Sequence, residues 1–98
     1  MTEETTTTNT YTLDEQLSQK REQLTQAQIT QTNAYSEYLK VMKAKTIVDE
    51  KDTDKVAKLD KLMFEYFKTY QHASEDAQKL QVELSELESQ KYLNELLG

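Results

Sequence analysis

Apolar residues recur along this chain at alternating steps of four and three, the spacing that gathers side chains on one face of a helix. In the first half the stripe runs Leu13, Leu17, Lys20, Leu24, Ala27, Gln31, Ala34, Tyr38, Val41, Lys45 and Val48, so Lys20, Gln31 and Lys45 interrupt it. In the second half it runs Val56, Leu59, Met63, Tyr66, Tyr70, Ala73, Ala77, Leu80, Leu84, Leu87, Lys91 and Asn94, where only the last two break the apolar rule. A stripe held at this spacing over successive heptads is a coiled-coil seam. The pattern predicts an all-α protein.

The two stripes do not share a register. Extending the first from Lys45 places the next equivalent position at 52, whereas the second resumes at Val56. Between them lies Val48-Asp49-Glu50-Lys51-Asp52-Thr53-Asp54-Lys55, poor in good helix formers. The spacing predicts a two-helix antiparallel coiled-coil hairpin, with helix one over about 12–49, a turn over about 50–53 and helix two over about 54–97. Asp52 or Thr53 would cap the second helix, with Asp54 facing the positive end of its dipole. The alternative is one long continuous helix with a stutter near residues 49–55. Thr12 and Glu15 fit the capping box that opens helix one. Residues 1–11, threonine-rich and nearly free of apolar side chains, read as a flexible or extended arm.

In the hairpin, residue i sits beside roughly 102 − i, at the level spacing that a turn near position 51 imposes on antiparallel helices. Ala27 then falls between Ala73 and Ala77, and Ala34 receives the rings of Tyr66 and Tyr70. Gln31 is the polar break beside Tyr70, whose hydroxyl is its candidate partner. Tyr35 falls beside Phe67, Leu39 beside Phe64, and Met42 near Asp60.

Five large apolar residues stand outside the seam. With Tyr38 and Met63 as heptad a positions, Tyr35, Met42 and Phe67 are e, and Leu39 and Phe64 are b. The e residues can widen the seam, but the b residues lie about 130° from its centre, where a two-helix unit has nothing to cover them. Tyr35, Leu39, Met42, Phe64 and Phe67 are therefore the candidate protein-interaction site.

Composition narrows the function classes. Apolar residues make up 36% of the 98 and charged ones 31%, thin for a chain that must bury its own core, which points to completion by oligomerisation or a partner. There is no cysteine or proline, and the only glycine is Gly98, so thiol chemistry, disulfides and glycine-rich phosphate loops are excluded. The net charge of −6 argues against direct nucleic-acid binding. It is unevenly spread: Lys40–Lys61 carries seven lysines against five acids, and the rest carries five basic and thirteen acidic residues. His72, the one histidine, sits at an outward c position with Glu75 a turn away, which reads as a surface histidine rather than a metal ligand. Asp52-Thr53-Asp54 lacks the glycine and glutamate of a calcium loop.

These features point to a non-enzymatic structural, scaffolding or adaptor subunit acting through helix-mediated contacts in a larger assembly, such as a phage particle or secretion apparatus. The expected partner is a protein or a second copy, with no cofactor, metal, nucleic acid or membrane. The expected location is cytoplasmic or within an assembled particle, since no leader or spanning segment is recognisable. Two other readings stay open. One is a small chaperone or regulator covering a partner helix, and the other an acidic inhibitor mimicking nucleic acid.

Overall fold

The computed structural model describes residues 12–98 and is a two-helix hairpin, a rod of about 72 × 26 × 13 Å. Helix α1 spans Leu13–Lys45 and helix α2 spans Thr53–Leu97, packed against each other along their length. The chain reverses between them, so the continuous helix with a stutter is not adopted. The expected arm at residues 1–11 lies outside the described residues.

Local chemistry explains where each helix starts. At Thr12 the capping box closes in both directions: the Glu15 N–H donates to Thr12 Oγ1 at 3.1 Å, and the Thr12 N–H donates to Glu15 Oε1 at 2.9 Å. At the start of α2, Asp52 Oδ1 accepts from the Lys55 N–H at 3.2 Å, and Asp54 lies in the first turn. Each cap satisfies a donor that the helix leaves orphaned.

The turn comes earlier than the sequence predicts. Helix α1 stops at Lys45 rather than near 49, and the turn occupies residues 46–52. The cause is Thr46-Ile47-Val48, three consecutive β-branched residues whose side chains resist helical crowding. The Thr46 hydroxyl donates to the Lys43 carbonyl at 2.6 Å, and the Ile47 and Val48 amides reach carbonyls three residues back at 3.2 and 3.3 Å, a tightening that ends the helix. Asp49 then accepts the Lys51 amide at 3.0 Å through Oδ1 and the Asp52 amide at 2.9 Å through its carbonyl. Side-chain hydrogen bonds thus replace the glycine that the turn lacks, and among the described residues none has a positive φ.

The core lies along the predicted seam. Every seam position of α1 from Leu13 to Lys45 is buried or half-buried, as is every one of α2 from Val56 to Lys91; Asn94 alone is exposed. The most buried residues are Leu17, at 1% exposure, and the alanines Ala34, Ala73 and Ala77, which let the helix axes approach closely. Gln31 is half-buried, but no hydrogen bond joins it to Tyr70.

The cross-helix register runs about three residues further along α2 than level spacing predicts. Tyr35 meets Tyr70 instead of Phe67, and Tyr38 meets Phe67. Lys45 pairs with Asp60 at 2.6 Å and Asp14 with Lys91 at 2.9 Å. Helical side chains lean toward the N-terminus of their own helix. In an antiparallel pair the two leans run in opposite directions, so each α1 residue touches an α2 residue whose Cα lies nearer the open end.

Candidate protein-interaction face

The four rings at the middle of the rod form a closed circuit. Tyr35 and Tyr38 stack at 6.0 Å, Tyr38 meets Phe67 at 5.5 Å, Phe67 meets Tyr70 at 5.9 Å, and Tyr70 returns to Tyr35 at 5.2 Å. Tyr35 and Phe67 sit diagonally in this circuit rather than side by side. Each leans on the other helix's seam ring, so these two e residues widen the seam, at 42% and 38% exposure. Leu39 and Met42 lie one and two turns nearer the tip and remain exposed. Phe64 is two-thirds exposed, with 67% of its surface open. All five candidate residues fall on one flank, and Phe64 is the one least accounted for by the hairpin.

The same flank has a property that the five residues alone do not reveal. Between Thr25 and Met42 on α1, and between Phe64 and Ser85 on α2, every e and b position is uncharged. Thr25, Gln28 and Thr32 continue the face on α1; Gln71, Ser74, Gln78, Gln81 and Ser85 continue it on α2. Ion pairs bound it at both ends: Lys45–Asp60 toward the tip and Arg21–Glu88, at 3.4 Å, toward the open end. The α2 stretch alone is about 32 Å long. Within it, the Ser74 hydroxyl is buried without a hydrogen-bond partner.

The opposite flank, built from c and g positions, is different in kind. Glu37 and Lys40 on α1, and Glu65, Asp76, Lys79 and Glu83 on α2, spread charges of both signs along it. An open groove there is lined by Gln23, Ala27, His72, Ala73, Asp76 and Glu83, among others. His72 is exposed in this groove, and among the described residues no cluster of histidine and carboxylate side chains is placed to hold a metal ion. Nor is any described helix long and apolar enough to cross a membrane.

The lysines that break the seams are paired across it. Lys20 donates to Glu83 at 2.7 Å, and the pair is one-third exposed. That hydrogen bond, aided by the positive charge of Lys20, holds the Glu83 carboxyl below its ordinary range. Lys91 donates to Asp14, which raises the lysine above its ordinary value. With Lys45–Asp60, each pair links the two helices at one level of the rod.

Beyond the Asp14–Lys91 pair, α2 continues to Leu97, while α1 begins at Leu13. Tyr92, Leu93, Leu96 and Leu97 are all more than half exposed there. The sequence reading missed them because it followed the a and d stripe, which turns polar at Lys91 and Asn94. The signal that finds them is a second stripe: Tyr92 occupies the same b position as Phe64, four heptads on. Comparisons with protein-family models, curated proteins and solved structures gave no match for this chain.

Proposed function

We propose that this protein is a non-enzymatic structural or adaptor subunit that works by docking the e and b flank of its hairpin against another protein chain. The observation that carries this reading is the asymmetry of charge between the flanks. Charged groups are depleted, and aromatic and methionine side chains enriched, at the centres of protein interfaces, because a buried charge loses its hydration. One flank here has that composition over several turns, with Phe64, Leu39, Met42, Tyr35 and Phe67 at one end; the other carries charges of both signs. Full burial of a large apolar side chain is worth about 1.5–3 kcal/mol before ordering costs, so a few such residues suffice to dock a partner.

The test compares two variants of the full chain, recovered from its native source under mild conditions. Leu39→Glu with Phe64→Glu changes the uncharged flank; Glu65→Lys with Lys79→Glu changes the other. Circular dichroism should show both helical, and only the first should lose the native complex on size-exclusion with light scattering. Loss of the complex in the second variant alone would overturn the reading.

A further inference from the structure

We propose that Asp52 is the residue that holds this chain in its hairpin, and that without its charge the helices exchange between copies. In the exchanged form each chain is one straight helix, and α1 of each copy packs on α2 of the other. This inference stands whichever flank docks a partner.

The two seams are in phase across the turn. Lys45, the last seam residue of α1, and Val56, the first of α2, are eleven residues apart. Eleven residues complete three helical turns to within about 20°, so in an unbroken helix both stripes would lie on one face, joined through Val48 and Asp52. The heptad register breaks at the turn, but the buried side does not.

The turn is also made of residues that a helix accepts. Residues 46–52 include neither glycine nor proline, and no described residue has a positive φ. Thr46 is already helical, at φ −68° and ψ −20°, whereas Asp52, at φ −83° and ψ 79°, leaves that region to cap α2. The hydrogen bonds of the turn are local, from Thr46 to Lys43, from Lys51 to Asp49 and from Lys55 to Asp52, and Ile47 is 85% exposed. The β-branched run favours the turn only slightly, a preference that packing can override.

A straight pair of chains would return the contacts that opening removes. Tyr35 on Tyr70, Tyr38 on Phe67, Lys45 on Asp60 and Asp14 on Lys91 would each re-form between copies. The register of that dimer is the one the hairpin already has, and a two-fold axis makes its halves identical.

What opposes it is the residue on the axis. Continuing inward from Lys45 and Asp60, Val48 comes beside Val56 of the second copy, and Asp52 meets its own equivalent at the middle of the joined stripe. Like charges directly opposite repel, and one polar residue in a seam is enough to decide how chains pair. Lys55, which pairs with Asp52 at 3.5 Å, is 70% exposed and stands beside the stripe rather than across the axis. In the hairpin the same carboxylate is half-exposed and accepts the Lys55 amide. Asp52 thus supports one topology and opposes the other.

Energy transfer within a single chain tests this. The chain has no cysteine, so Glu22→Cys with Ser89→Cys directs a fluorophore pair to two exposed sites, one on each helix. They lie across the rod from each other in the hairpin and about 100 Å apart along a straight chain. Doubly labelled full chain is refolded, concentrated, with excess unlabelled chain of the same sequence at position 52. The parent should transfer efficiently. Asp52→Leu should lose most of the transfer, keep its helicity by circular dichroism and sediment at twice the 11.5 kDa mass. Asp52→Lys loses the cap as fully but keeps a charge on the axis, so its transfer should persist. Asp52→Asn, which keeps the cap without the charge, should lose transfer in part. Full transfer in the Leu and Asn variants alike would overturn the proposal. Equal loss in the Leu and Lys variants, with helicity kept, would make the cap the selector and overturn the role of the axis charge.

Discussion

Leu17, Phe64 and Lys20 represent three fates of single side chains on this rod. Leu17 is 1% exposed, the most completely buried large side chain among the described residues, and so it carries a large share of a thin core. Truncating it removes transfer energy and leaves a cavity that a two-helix unit can only partly collapse, so Leu17→Ala should cost about 2–5 kcal/mol in urea unfolding. Phe64→Ala in dilute protein should fall within about 0.5 kcal/mol of the parent, because an exposed ring has little to lose. An equally large loss at Phe64 in dilute protein would mean that its ring is buried within the single chain. The apolar positions were legible from spacing alone. Lys20, Lys45 and Lys91 were read as interruptions of the seam, because their carboxylate partners on the opposite helix emerge only once the lean of the side chains is included.

The helices themselves show where periodicity informs and where it stops. The start of α1 was readable, since Thr12 and Glu15 form a local motif whose two hydrogen bonds need no tertiary partner. Its end was misplaced by four residues, because the apolar stripe continues through Val48 while the backbone has already tightened after Lys45. Stripe position reports which face is buried, whereas termination depends on the β-branched run and the Thr46 hydroxyl.

Asp52 now stands as the N-cap of α2, so Asp52→Ala should cost about 1 kcal/mol, read by thermal unfolding, and Asp52→Asn should retain most of the stability. The ion pairs near the open end add a pH dependence. Lys20 depresses the pKa of Glu83, so this pair contributes fully above the ordinary glutamate range and is lost as pH falls through the lowered value. Asp14 raises the pKa of Lys91, so that pair is complete below the ordinary lysine value and is lost as pH rises through the raised one. Amide hydrogen exchange, corrected for its intrinsic pH dependence, should show α1 near Lys20 losing protection on acidification; in Glu83→Gln the acid-side loss should shrink.

At the scale of the whole molecule, the decisive feature is how little two helices can enclose. The described chain keeps 7613 Å² accessible, and its core is a single stripe in which Leu17 and three alanines are the buried members. A chain this thin gains most from covering a second stripe, and the flank free of charge offers one. That flank was only half legible in the sequence: Tyr35, Leu39, Met42, Phe64 and Phe67 stand out as large apolar residues off the seam. Gln71, Gln78 and Ser85 are unremarkable until the fold puts the e and b positions of both helices on one side, uncharged from Thr25 to Met42 and from Phe64 to Ser85.

A second copy docked on that side would make stability depend on concentration, since mass action favours a dimer as the chain concentration rises. The unfolding temperature of the full chain would then climb with each tenfold dilution reversed, while that of Phe64→Glu would stay flat and match the parent at its most dilute. A parent protein whose unfolding temperature ignores concentration would place the stabilising energy inside the single hairpin and leave no role for a second copy.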